Sequence, residues 1–211
     1  KIHDKGMMIL SGFLNALLAR EEKIGVAASV CFEQSYGIID GDSASIAELV
    51  AIISAMAEIP VSQSFAMTGS ANQMGDVQPV GGINEKIEGF YKAARIIGKK
   101  GPYSVIIPHQ NVSNLMLHRD VRKGIADGKL KIYPVKHVAE AFELVTGIPL
   151  GITDTLHVKE FTKGSALEIL STKLKAMKPR KPAKATKEEA ATPQRELKKV
   201  AKPHRAPRQR K

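Results

Sequence analysis

Tyr103-Ser104-Val105-Ile106-Ile107-Pro108 is a short apolar run closed by a proline, and it follows a segment, Asn84 to Ile97, whose apolar residues recur at helical spacing until Gly98. A run of this length between turn formers suits a buried strand. Beyond it, Asn111 to Ala126 predicts a helix, Leu130 to Val135 a second strand, and Val138 to Thr146 a helix ended by Gly147. Strand and helix alternate through this half of the chain. The pattern is mixed α/β, helices packed on a sheet.

The first half extends the same pattern. Asp4 to Glu21 places Met8, Phe13, Leu14, Leu17 and Leu18 mostly three or four residues apart, with Asp4 available as a helix cap. Gly25 to Phe32, rich in Val and Ala, predicts a strand buried on both faces, in which Cys31 is a buried small hydrophobe. Asp42 to Ala57 carries Ile46, Leu49, Val50, Ile53 and Met56 at helical spacing, with Asp42 or Ser43 at the cap and Pro60 beyond the end. Residues 61–67 and 77–80 flank the turn formers Gly69 to Asp76 and read as a pair of strands with a connecting loop. Ser165 to Lys175 predicts one more helix, and 150–177 should pack at the domain edge.

Charge divides the 211 residues unevenly. Lys173 to Lys211 holds 15 Lys and Arg against 3 Glu, whereas residues 1–172 hold 17 basic and 18 acidic side chains, so nearly all of the net +11 belongs to the tail. Residues 178–211, with five prolines and no aromatic residue, predict a disordered basic tail after a domain spanning 1–177. No apolar run reaches the roughly 20 residues of a membrane span, and Lys1 to Lys5 do not open a signal peptide. The expectation is a soluble, cytoplasmic protein without a membrane contact. One cysteine can form neither an internal disulfide nor a metal cluster. No metal site is expected.

Asp40-Gly41-Asp42-Ser43-Ala44-Ser45 joins a glycine turn to a helix start. A serine there lies near unpaired backbone N–H groups and the positive end of the helix dipole, which can hold an oxyanion. By spacing alone the simple N-cap is the favoured reading. A serine nucleophile also needs a base. None of the six histidines, His3, His109, His118, His137, His157 and His204, stands in a triad motif; each reads as a surface or capping residue. A lysine can serve where desolvation favours its neutral form. Lys86 opens a helix after Pro79-Val80-Gly81-Gly82-Ile83-Asn84-Glu85, although without further signals an exposed helical lysine paired with Glu85 or Glu88 is the favoured reading.

The pattern Asp40-Gly41-Asp42-Ser43-Ala44 and the pattern Gly81-Gly82-Ile83-Asn84-Glu85-Lys86, with Met67-Thr68-Gly69-Ser70 and His3-Asp4-Lys5-Gly6, resemble the Lon protease family over residues 3–147. The resemblance implies the Lon proteolytic-domain fold and a Ser-Lys dyad: Ser43 the nucleophile, Lys86 the base, and Thr68 the threonine holding both by hydrogen bonds. Asp40 would orient the dyad or merely cap the turn. Asp42 and Ser45 replace the proline and glycine of the common bacterial form, and Asn84 replaces a lysine, so the chain is more similar to archaeal-type or related branches. Asn84 also removes a rival base. Ser45 is a rival nucleophile out of register with the family serine.

The same resemblance implies a serine endopeptidase acting on protein or peptide substrates, and a homo-oligomer, hexameric in that family. The chain has no GxxxxGK[ST] phosphate loop, so no cofactor is expected within it, and ATP and Mg would act through an ATPase module in a longer protein. Two other readings remain: a DNA- or RNA-binding protein acting through the phosphate affinity of residues 178–211, and a catalytically silent scaffold of the same fold.

Overall fold

The run Tyr103–Pro108 is a strand with all six residues buried, and the other elements arrange themselves around it. The computed structural model describes residues 2–18, 27–33, 37, 39, 41–98, 101–152 and 161–176. In chain order these form α1 (Ile2–Leu18), α2 (Ser45–Ala57), β1 (Phe65–Met67), β2 (Ser70–Ala71), β3 (Val77–Gln78), α3 (Ile83–Ile96), β4 (Tyr103–Pro108), a 3-10 turn (His109–Asn114), α4 (Arg119–Ala126), β5 (Leu130–Val135), α5 (Val138–Thr146) and α6 (Ala166–Ala176). The architecture is α/β, with helices packed on a parallel sheet of order β1-β4-β5. Phe65 stands opposite Ser104 and Met67 opposite Ile106. Tyr103 stands opposite Leu130, and the register runs to Pro108 opposite Val135. Parallel neighbours need a crossover, which α3 supplies between β1 and β4 and α4 between β4 and β5. As an edge strand, β5 can carry Pro134, whose missing N–H would break an inner ladder.

Side chains alternate along a strand, so β4 contributes to two cores. Ile106 packs with Leu10, Phe13, Ile46, Leu49, Ile53 and Phe142 on one face. Val105 and Ile107 pack with Ile83, Ile87, Tyr91 and Leu130 on the other. Leu167 and Leu170 carry α6 into the first core. Lys173 on α6 donates to Ala57 O at 3.0 Å and pairs with Glu58 at 2.7 Å. The hydrogen bond from Lys173 and then its charge hold the Glu58 carboxyl below its ordinary value of 4.5.

The predicted helices and strands at α3, β4, β5, α5 and α6 are present within a residue or two. Elsewhere the structure corrects the expectation. α1 begins at Ile2, so Asp4 lies in its first turn and not at its cap, and Met8 is exposed while Leu10 enters the core. Residues 27–33 form no strand, and Val30 and Cys31 are exposed; positions 25 and 26 lie outside the described residues. Strand propensity needs a partner to become a strand, and among the described residues no backbone hydrogen bond joins this segment. Residues 61–67 do not pair with 77–80: β1 joins β4, and the hairpin is the short antiparallel pair β2-β3 around Asn72. The Asn72 side chain closes that loop by accepting from Met74 and Asp76 N–H, both at 2.9 Å.

The single helix expected over 111–126 is broken into the 3-10 turn and α4, which His118 caps by accepting from Asp120 N–H. Side-chain bonding to a remote backbone competes with helix continuation, and Asn111 in that turn is so engaged. The chain partitions into residues 1–178 and 179–211, and every described residue belongs to the first unit. The expectation for the basic tail lies outside the described residues.

Candidate active site

Ser43 stands in the turn Gly41–Ala44 that leads into α2. The helix begins at Ser45 with Ala44 as N-cap and no side-chain cap bond, so neither Asp42 nor Ser43 caps it. Ser45 closes the turn instead: its N–H and its hydroxyl both donate to Asp42 O, at 3.1 and 2.7 Å. The Asp42 carboxylate accepts from the Ser70 hydroxyl on β2 at 2.8 Å. Ser45, the rival nucleophile, is thus buried with its hydroxyl engaged.

The connection from β1 to β2 lies against this turn. Gly69 N–H donates to Ser43 O at 2.8 Å, and Ile46 N–H donates to Gly69 O at 3.2 Å. A Cβ at Gly69 would stand 3.0 Å from Ile46 Cδ1 and 3.1 Å from Val77 Cγ1, so the close approach calls for glycine. Thr68 is fixed to the central strand, its N–H donating to Ile106 O at 3.1 Å, and is only 9% exposed. Its hydroxyl donates to Ser43 O at 3.1 Å and accepts from Lys86 Nζ at 3.2 Å. One hydroxyl therefore joins the serine's backbone to the lysine's amine.

Lys86 is delivered by the mouth of α3. Gly82 caps that helix at φ 66 and ψ 31, a left-handed conformation that favours glycine, and Lys86 N–H donates to Gly82 O at 3.0 Å. The lysine as a whole is exposed, and its amine ends in a part-buried bond to Thr68. Among the described residues neither Glu85 nor Glu88 pairs with it; Glu88 accepts from His118 N–H at 2.6 Å. Asn84 donates to Asn114 O at 3.0 Å and accepts from Met116 N–H at 2.8 Å, latching the helix mouth to the segment after β4.

The structure brings Ser43, Thr68 and Lys86 into one hydrogen-bonded chain, although the first and last are 43 positions apart. Asp40 lies outside the described residues. None of the described histidines bonds to Ser43: His118 and His137 cap helices, and His3 meets the buried Glu48 at 2.8 Å. Among the described residues the Ser43 hydroxyl and the Ser43 and Ala44 N–H groups have no hydrogen-bond partner, whereas those of Ser45 and Ile46 are spent on Asp42 and Gly69. The free donors expected at the helix start are in the turn before it. Sequence reading missed Ser70, Asn84 and Asn111 as supports. An asparagine within a helical pattern, as at Asn111, was the one local signal, since that residue favours turns over helix interiors.

A sequence profile of the Lon protease C-terminal proteolytic domain matches residues 35–146. A putative Lon protease homolog of Escherichia coli is 50% identical over 147 residues, 70% of this chain and 25% of that protein. The archaeal Lon protease of Pyrococcus abyssi is 34% identical over 205 residues, 81% of this chain and 19% of that protein. That of Methanocaldococcus jannaschii is 44% identical over 114 residues, 54% of this chain and 15% of that protein. The chain therefore spans about a quarter, or less, of the length of these relatives.

Proposed function

Because the chain belongs to the family of Lon protease C-terminal proteolytic domains, a protease module, we propose that it hydrolyses peptide bonds as a serine endopeptidase with Ser43 as nucleophile and Lys86 as general base. The observation that carries this reading is the Thr68 hydroxyl, which bonds to Ser43 on one side and to Lys86 Nζ on the other. Neutral Lys86 takes the proton of Ser43 Oγ as that oxygen bonds to the substrate carbonyl carbon. The oxyanion is received by the free N–H groups of Ser43 and Ala44. Collapse breaks the C–N bond, and Lys86 returns the proton to the leaving amine. Water then attacks the acyl carbon, losing a proton to Lys86, and as the bond to Ser43 Oγ breaks Lys86 returns that proton to Oγ, releasing the acid and restoring the hydroxyl.

A lysine is a base only when neutral, and removal from water favours that form. Lys86 is exposed in the single chain, so the covering would come from the bound peptide or from a neighbouring copy. By family resemblance the working form would be a homo-oligomer, a hexamer, acting on unfolded or delivered proteins in the cytoplasm. ATP and Mg would act through a separate ATPase module and not through these residues. Asp40 would orient the turn that carries Ser43. Residues 178–211, with their excess of Lys and Arg, would form a separate segment with salt-sensitive affinity for DNA or RNA.

A serine-directed fluorophosphonate or peptide boronate should label Ser43, and Lys86→Ala should abolish both labelling and casein cleavage. Proton transfer of this kind is worth about 10² to 10⁴ in rate. Unchanged cleavage in Lys86→Ala would sink the dyad, and a folded wild type that neither labels nor cleaves would favour the silent scaffold. Deleting residues 178–211 should remove salt-sensitive DNA binding and spare cleavage.

A further inference from the structure

Lys86 must meet Thr68, and the mouth of α3 is set against the sheet by the packing of Ile83 and Ile87 on Val105 and Ile107 together with the polar contacts of the segment that leads into it. The segment that enters it, Pro79 to Gly82, packs Val80 on the cluster of Val105 and Ile107 and is hydrogen-bonded to the turn after β4 through the Asn111 side chain. The Asn111 carboxamide accepts from Val80 N–H at 2.9 Å and donates to Val80 O at 3.0 Å, across 31 residues of sequence. It imitates the pairing of a neighbouring strand where no strand runs. Asn111 is 4% exposed, so its two polar atoms have little access to water and depend on this bond. It follows β4 by three residues, and β4 is also the strand whose Ile106 O holds Thr68 N–H. Both halves of the Thr68–Lys86 bond are therefore referenced to one strand, Thr68 through Ile106 and the lysine's helix through Asn111.

We propose that Asn111 is a positioning residue for the base: by clamping the Val80 peptide to the end of β4 it sets the place of the α3 mouth, and with it the approach of Lys86 to Thr68 and Ser43. The proposal rests on the dyad reading for its catalytic consequence, but the clamp itself is a geometric claim. Asn84, which bonds to Asn114 O and Met116 N–H, holds the same two segments together on the helix side. Its bonds lie at the more exposed end of the contact, so it follows the clamp and does not replace it.

The test uses the whole chain as wild type, Asn111→Leu, Asn111→Asp and Lys86→Ala. Two measurements are made: hydrogen exchange by mass spectrometry over residues 79–86, and the rate at which a small fluorophosphonate labels Ser43. In Asn111→Leu, 79–86 should lose protection while 103–108 and 130–135 keep theirs. Labelling should fall roughly 100-fold, the scale of an ångström-sized misplacement of a catalytic group. Asn111→Asp keeps the acceptor for Val80 N–H but loses the donor to Val80 O, and its labelling rate relative to wild type should recover as pH falls from about 8 to about 5, because burial against the Val80 carbonyl raises a carboxyl above its ordinary value of about 3.9 and the protonated form can donate again. A residue that served only to hold the fold would show no such recovery.

Unchanged exchange at 79–86 in Asn111→Leu, or labelling within about two-fold of wild type, overturns the proposal. Should that variant lose protection in the sheet as well, the exchange and relative pH profile of Asn111→Asp decide the matter, a flat profile counting against it. If Lys86→Ala labels as fast as wild type, the dyad fails, while the exchange data still judge the clamp.

Discussion

Replacing Thr68 with valine keeps the branched shape at Cβ and removes the one hydroxyl that joins Ser43 to Lys86. The structure makes the costs to stability and to rate very different. Ser43 O keeps its stronger donor, Gly69 N–H at 2.8 Å, so the fold loses one hydrogen bond, a net of about 1 kcal/mol. In a domain of this size that lowers the Tm by about 2–4 °C. Lys86 is exposed and returns to water, adding nothing to that loss. Its amine then loses its anchor at Thr68, and misplacement on the ångström scale costs about 10² in rate, or roughly 2.7 kcal/mol in barrier. Fluorogenic-peptide hydrolysis and thermal melting of wild type, Thr68→Val and Thr68→Ser separate the two effects. Thr68→Ser, which keeps the hydroxyl, should stay within a few-fold of wild type. Thr68→Val with activity within about three-fold, alongside a dead Lys86→Ala, would refute the reasoning, because the base would then find its place without the threonine.

Two further expectations concern the frame. Gly82→Ala places a Cβ at φ 66, which costs about 1–2 kcal/mol; a urea midpoint that does not fall would show that the helix cap is not constrained as described. The pairing of Glu58 with Lys173 ties α2 to α6, and it holds the Glu58 carboxyl below its ordinary 4.5. A depressed folded value means that the contribution is fully present above 4.5 and is lost as pH falls through the folded value. Glu58→Gln should therefore flatten the acid side of the stability curve and leave wild type the more stable near neutrality, as chemical denaturation across pH would show; coincident curves would discount the pair.

Elements whose cause is local were legible in the amino-acid sequence alone. The run Tyr103–Pro108, the helical period of Asn84–Ile97 and the glycines at Gly98 and Gly147 state their conformation in neighbouring residues, and each stands where expected. Failures occurred where a remote partner decides. Residues 27–33 have strand composition but no ladder partner among the described residues. Residues 61–67 looked like half of a hairpin until β4 claimed them. The helical pattern over 111–126 opens as a 3-10 turn, in which the Asn111 side chain is committed to Val80, and gives way after Asn114.

The site divides along the same line. The motifs around Ser43, Thr68 and Lys86 were readable from residue type, spacing and family resemblance, because a nucleophile and a base need particular side chains beside particular turns. Which atoms meet was not readable. Thr68 reaches Ser43 across 25 residues and Lys86 across 18, and the Asn111 clamp spans 31. Ser43 also proved to lie outside its helix, so that among the described residues the Ser43 and Ala44 N–H groups have no partner while those of Ser45 and Ile46 are occupied. Hydrophobic period and turn chemistry act between neighbours and survive in a one-dimensional string. A hydrogen bond between buried polar groups acquires its partner only when the sheet has brought distant segments together and excluded the water that would otherwise satisfy them.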